Sequence, residues 1–129
     1  MDFDGTCVTH EFPRIGKDIG AVPVLKEIAK SHDLILFTMR SDNRIDGTDL
    51  AYHPLSEAVS WFKENDIPLY GININPTQEK WTKSPKAYGQ LYIDDAALGC
   101  PLKEDLELSH RPFVDWEKVE QILKEAQII

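Results

Sequence analysis

Asp2 and Asp4 are separated by one residue. On an extended backbone that spacing points both carboxylates the same way, because side-chain direction alternates with period two. Gly5 and Thr6 follow at once. A glycine and a small hydroxyl residue turn the chain sharply and expose backbone N–H groups, which can cradle an anion as a glycine-rich phosphate loop does. Two like charges this close repel and raise one another's pKa unless a cation lies between them. The pair therefore predicts a Mg²⁺ site or an acid/base couple. A solvated Asp-rich turn is the other reading of the same residues.

Two later runs end in comparable chemistry. The apolar run Leu34-Ile35-Leu36-Phe37 ends in the hydroxyl of Thr38, and Leu91-Tyr92-Ile93 ends in Asp94 and Asp95. In an open α/β sheet, ligands collect at the carboxyl ends of parallel strands, so three such runs would bring these groups to one place. Lys86 stands just upstream of the last run. With Asp-x-Asp, a Thr, a Lys and an acidic pair in this order, the chain resembles the haloacid dehalogenase (HAD) superfamily of phosphohydrolases over residues 2–99.

The resemblance implies an α/β fold with a Rossmann-like parallel sheet, helices on both faces and no sizeable cap domain. It implies that Asp2 attacks phosphorus and forms an aspartyl-phosphate, while Asp4 protonates the leaving oxygen and later activates water. Thr38 and Lys86 would hold the transferring phosphoryl group, with Lys80 and Lys83 as the neighbouring alternatives to Lys86. Mg²⁺ would be held by Asp2, the Asp4 backbone carbonyl, Asp94 and Asp95. Gly5, Thr6, Met39 and Arg40 would border the substrate, the turn N–H groups donating to phosphate oxygens. Because the second Asp of the motif is present, the resemblance implies a Mg²⁺-dependent phosphatase acting on a phosphate monoester, not a dehalogenase or phosphonatase. The sequence does not name that substrate.

The amino terminus departs from the family pattern. There the first Asp closes a buried apolar strand, and here only Met1 precedes it. A central parallel strand is a continuous apolar run. The expectation is that the native chain begins upstream. The alternative is a catalytically impaired HAD-like domain that binds metal or protein, or one whose sheet a neighbouring molecule completes.

The surrounding elements must place these groups. Val24, Leu25, Ile28 and Ala29 predict a helix over 21–31, and Leu55, Ala58, Val59 and Phe62 one over 54–65. Asp115 caps a last helix carrying Trp116, Val119, Ile122, Leu123 and Ala126. Strands are expected at 34–38, 69–74 and 91–93, with a short edge strand at 112–114 and an irregular acidic stretch at 101–110. The polar loop from Asp42 to His53, flanked by Arg40 and containing Arg44, is the candidate for substrate selection, with a solvated surface excursion as the other reading.

Bulk properties agree with one domain, 1–129: 42% of residues are hydrophobic and 28% charged. No apolar run is long enough to span a bilayer, and cytoplasmic location is the default expectation. Cys7 and Cys100 read as reduced thiols. The four histidines are scattered without metal-ligand spacing. The net charge of −8 disfavours nucleic acid as a partner. That leaves a phosphorylated small or macromolecular substrate as the expected partner, and a homo-oligomer as an open question.

Overall fold

The computed structural model describes residues 1–43 and 53–129. The fold is α/β, built from three α-helices, one turn of 3-10 helix at Gln78–Lys80 and two short two-stranded sheets among the described residues. Helix α1 spans Ala21–Ala29 and buries Ala21, Val24, Leu25 and Ile28, a stripe at helical spacing. Strand β1 is Ile35–Leu36, helix α2 Pro54–Glu64 and strand β2 Gly71–Ile72. Pro54 suits the first turn of α2, where its missing N–H leaves no bond unmade. Asp42 caps the same helix from across the loop, accepting from the N–H groups of Leu55 at 2.9 Å and Ser56 at 3.1 Å and from the Ser56 hydroxyl. The Ser56 hydroxyl and these N–H groups hold the Asp42 carboxyl below its usual range.

Strands β1 and β2 are parallel, with Ile35 opposite Gly71 and Leu36 opposite Ile72. Met1 lies along the other side of β1: its amino group donates to the Ile35 carbonyl at 2.8 Å, and its carbonyl accepts from Phe37 N–H at 2.8 Å. Asp2 N–H then donates to the Ile93 carbonyl at 2.9 Å. Extended backbone therefore lies side by side in the order 70–73, 34–37, 1–2, 93. The segment 91–93, expected as a strand, has no regular strand of its own, because its only backbone partner among the described residues is Asp2.

Two further strands, β3 at Leu102–Lys103 and β4 at Phe113–Val114, pair antiparallel. Strand β3 falls within the stretch expected to be irregular; exposed on both residues, it carries no buried alternation to read. Strand β4 is buried, and Val114 N–H donates to the Gly5 carbonyl at 3.0 Å, which fastens it to the turn after Asp4. Helix α3, Trp116–Glu125, starts at Asp115, whose side chain accepts from Lys118 N–H at 3.2 Å. Trp116 is buried, and its indole N–H donates to the Thr6 carbonyl at 2.7 Å. One core joins all of this: Phe3, Val8, Leu25, Leu36, Phe62, Val114 and Leu123 are buried in a single apolar cluster. Phe3 contributes two aromatic contacts, to Trp61 and Phe62 at centroid distances of 5.6 and 5.9 Å.

Candidate functional site

The turn after Asp2 is drawn tight by its own backbone. Cys7 N–H and Thr6 N–H donate to the Phe3 carbonyl at 2.8 and 3.1 Å, and Gly5 N–H donates to the Val8 carbonyl at 2.8 Å. These N–H groups are committed within the chain, so the expected anion cradle of Gly5 and Thr6 is not what the turn provides. Gly5 has φ +77°, and a Cβ there would collide with the His10 ring and the Asp95 carboxylate. Glycine is needed for both reasons, and the close approach brings the loop containing His10 against the acidic pair.

Oxygens of Asp2, Asp94 and Asp95 all lie within 4.8 Å of one another. Their meeting depends on the Asp2–Ile93 backbone bond, which sets the start of the motif beside the end of the last apolar run. Thr6 Oγ1 lies 3.0 Å from Asp2 Oδ2 and 3.2 Å from Asp95 Oδ1, and accepts from Asp95 N–H at 3.0 Å. A hydroxyl has one hydrogen, so it cannot donate to both carboxylates at once. Asp94 turns the chain out of the site, its Oδ1 accepting from Ala96 N–H at 2.8 Å. Burial, with the negative charge of Asp94 adding to it, raises the Asp2 carboxyl to about 7.

This donor set suits a hard divalent cation. Mg²⁺ takes oxygen ligands at about 2.0–2.1 Å and keeps several waters, and three carboxylates that otherwise repel gain most from such an ion. The raised pKa of Asp2 reflects first its burial and then the nearby Asp94 charge, both of which a proton relieves in the absence of a cation.

Asp4 does not join the triad through its side chain. Arg40 holds both its oxygens, Nε to Oδ2 at 2.8 Å and Nη2 to Oδ1 at 2.7 Å. The remaining donors of Arg40 reach the carbonyls of Pro13 at 3.1 Å, Pro54 at 3.0 Å and Arg14 at 2.7 Å. Its guanidinium lies over the Phe3 and Phe12 rings at 4.9 and 5.2 Å, and the residue is only 3% exposed. Arg40 is thus a buried clasp, not a free phosphate ligand, which corrects the expectation drawn from its place after the Thr38 run. Met39 beside it is fully exposed.

Thr38 stands at the same end of the sheet as Asp2, since Phe37 pairs with Met1. Its N–H donates to Asn73 Oδ1 at 2.8 Å and its hydroxyl accepts from Arg40 N–H at 3.1 Å, with no bond to the triad. Lys86 is exposed, and its amine lies over the Tyr92 ring at 5.5 Å, without an ion pair to the carboxylates. In the loop from Asp42 to His53, residues 44–52, including Arg44, lie outside the described residues.

His10 is the site residue that motif spacing missed. Its Nε2 is buried 3.1 Å from Asp95 Oδ2, without the alignment of a hydrogen bond. The available signal was its nearness to the motif: a loop that returns on itself, with Val8 bridged to both Asp4 and Asp18, brings its residues back to where it began.

No protein-family model and no curated protein matches the chain. A solved structure does, described as the conserved protein coded by a locus from Bacteroides thetaiotaomicron. The two are 31% identical, with 97% of this chain and 87% of that chain covered and a TM-score of 0.69. By that identity and coverage, the chain belongs to the same family as this conserved Bacteroides protein.

Proposed function

We propose that the chain is a Mg²⁺-dependent phosphohydrolase of the HAD type acting on a phosphate monoester. The observation that carries this reading is the convergence of Asp2, Asp94 and Asp95, drawn from opposite ends of the motif order onto one cation-sized space. The backbone order 70–73, 34–37, 1–2, 93 supports a Rossmann-like sheet, in which neighbouring strands run third, second, first, fourth in the chain.

Asp2 is the nucleophile of this reading: its carboxylate oxygen forms a bond to phosphorus as the bond to the leaving alcohol oxygen breaks. Water then attacks phosphorus, releasing inorganic phosphate and restoring the carboxylate. Bound Mg²⁺ supplies the positive charge that lets the carboxylates and the phosphate oxygens share the site. The Thr6 hydroxyl, fixed by the Asp95 N–H that it accepts, gives its one hydrogen to either the Asp2 or the Asp95 carboxylate and so ties the two positions together. Thr38, at the neighbouring strand end, is the hydroxyl donor for a phosphoryl oxygen. Asp4 gives a proton to the leaving alcohol only if it releases an oxygen from Arg40, and Lys86 reaches the phosphoryl group only by leaving Tyr92.

Those two engagements favour a second reading, a domain that binds metal without turnover. Hydrolysis of a panel of aryl and alkyl phosphate esters, with and without Mg²⁺, separates the two. The expected result is Mg²⁺-dependent release of phosphate that Asp2→Asn abolishes. Activity surviving Asp2→Asn overturns the nucleophile assignment, and Mg²⁺ binding without turnover of any ester establishes the second reading.

A further inference from the structure

Every N–H of the Arg40 guanidinium is spent: two go to the separate oxygens of Asp4, at 2.8 and 2.7 Å, and the rest go to the carbonyls of Pro13, Pro54 and Arg14. The Arg40 side chain is 1% exposed. Turning Asp4 towards a bound substrate would leave a buried guanidinium with two donors and no acceptor, and a buried charge deprived of its partner is strongly disfavoured. Asp4 therefore stays with Arg40 and hands nothing to a leaving group.

Among the described residues no other side chain takes over that task. The Thr6 hydroxyl is tied to the Asp2 and Asp95 carboxylates, the Lys86 amine lies over the Tyr92 ring at 5.5 Å, and His10 Nε2 is buried 3.1 Å from Asp95 Oδ2. A leaving oxygen that receives no proton must depart as an anion. A phenol ionises near pH ~10, whereas an alkyl alcohol is about as weak an acid as water, at ~15.7, so a phenolate departs far more readily than an alkoxide. General acid help is worth about 10²–10⁴ in rate, and the alkyl ester is the one that needs it.

The rim of the site points the same way. Met39 follows Thr38 and is 98% exposed, and Leu98 is fully exposed just beyond the turn that Ala97 N–H closes on the Asp94 carbonyl. In the backbone order 34–37, 1–2, 93 these two apolar side chains leave the sheet on opposite sides of Asp2. A thioether is a favourable neighbour for an aromatic ring, and Leu98 adds apolar surface across from it.

We propose that the site is selective for aryl phosphate monoesters, which it cleaves without a general acid. This rests on the phosphohydrolase reading above. The Asp2 oxygen bonds to phosphorus while the bond from phosphorus to the phenolic oxygen breaks, and the electron pair leaves on the phenolate, which takes its proton from water. Water then attacks phosphorus, giving inorganic phosphate and the free Asp2 carboxylate.

The test compares kcat/KM, in the presence of Mg²⁺, for phenyl phosphate, for cyclohexyl phosphate as an apolar alkyl ester of similar size, and for a series of substituted phenyl phosphates. Phenyl phosphate is expected to exceed cyclohexyl phosphate by about 10³-fold or more, with kcat/KM falling steeply as the phenol becomes more basic and changing little in heavy water. Met39→Ser combined with Leu98→Ser is expected to lower kcat/KM for phenyl phosphate about fivefold or more. Cyclohexyl phosphate within about tenfold of phenyl phosphate, a shallow dependence on the phenol, or a marked slowing in heavy water reveals a proton donor and overturns the proposal. An unchanged kcat/KM in the Met39/Leu98 double variant overturns the aryl preference. Hydrolysis of both ester classes alike removes this proposal and leaves the phosphohydrolase reading standing, whereas phosphate release from no ester overturns both.

Discussion

Arg40 meets Asp4 as a two-pronged pair, its Nε and Nη2 donating to separate carboxylate oxygens at 2.8 and 2.7 Å while its other donors tie down three backbone carbonyls. A planar fork spends all its donors in one buried place. This makes the loop at 13–14, the end of the β1 segment and the start of α2 a single mechanical unit. Arg40→Ala strands the Asp4 carboxylate and those carbonyls, and is expected to destabilise the fold by about 3–5 kcal/mol. Arg40→Lys recovers little, because an ammonium has three donors and no fork. Chemical denaturation checks both; wild-type stability in Arg40→Ala would show the clasp to be energetically idle.

The acidic triad predicts a specific response to metal. Millimolar Mg²⁺ should raise the melting temperature, since a ligand that binds only the folded state stabilises it in proportion to RT ln(1 + [L]/Kd). Asp94→Asn should remove most of that rise, and Lys86→Ala should leave it intact, because Lys86 lies over Tyr92. A full Mg²⁺ response in Asp94→Asn would place the ion elsewhere.

The raised carboxyl of Asp2 gives the metal response a pH dependence. Without metal, the folded chain holds this proton up to about pH 7, whereas the ordinary carboxyl value is 3.8. The folded state therefore binds the proton more tightly, so this residue's contribution to stability is best at low pH, falls as pH rises above about 4, and levels off above about 7. Mg²⁺ competes with that proton. Thermal melts at about pH 5 and about pH 8 should show the larger Mg²⁺-induced shift at the higher value. A larger shift at the lower value would contradict the assignment of Asp2 as a ligand.

Gly5→Ala should be costly beyond its loss of backbone freedom. The positive φ alone costs about 1–3 kcal/mol, and the new methyl must displace His10 or Asp95. Both destabilisation and a weakened Mg²⁺ response are expected, the second because Asp95 moves. Gly20→Ala is the control, with a similar positive φ and open space around it; it should lose stability and keep the metal response.

The carboxylate cluster was legible in the sequence because strand ends and residue types are local signals: Asp94 and Asp95 close the apolar run 91–93, and Asp2 stands out by its Asp-x-Asp spacing to Asp4. The three α-helices were legible from their periodic apolar faces, the first two within two residues at the ends and the last by its Asp115 cap. What escaped depends on contacts between distant residues. Nothing in the spacing of Arg40 shows that Asp4, not a ligand, takes its fork, or that Pro13, Arg14 and Pro54 offer carbonyls to it. His10 was passed over because a single histidine has no pattern until the loop folds back over Gly5. Strand β3 was missed because its residues are exposed and its existence is owed to β4.

The bond from the Trp116 indole to the Thr6 carbonyl turns this residue into a built-in optical gauge. Thr6 touches two of the three carboxylates, and Trp116 is shielded from solvent. Any event that draws the acidic side chains together should perturb a shielded chromophore, so with Trp61 and Trp81 replaced by Phe its ultraviolet emission is expected to report occupancy of the centre without a label or a substrate.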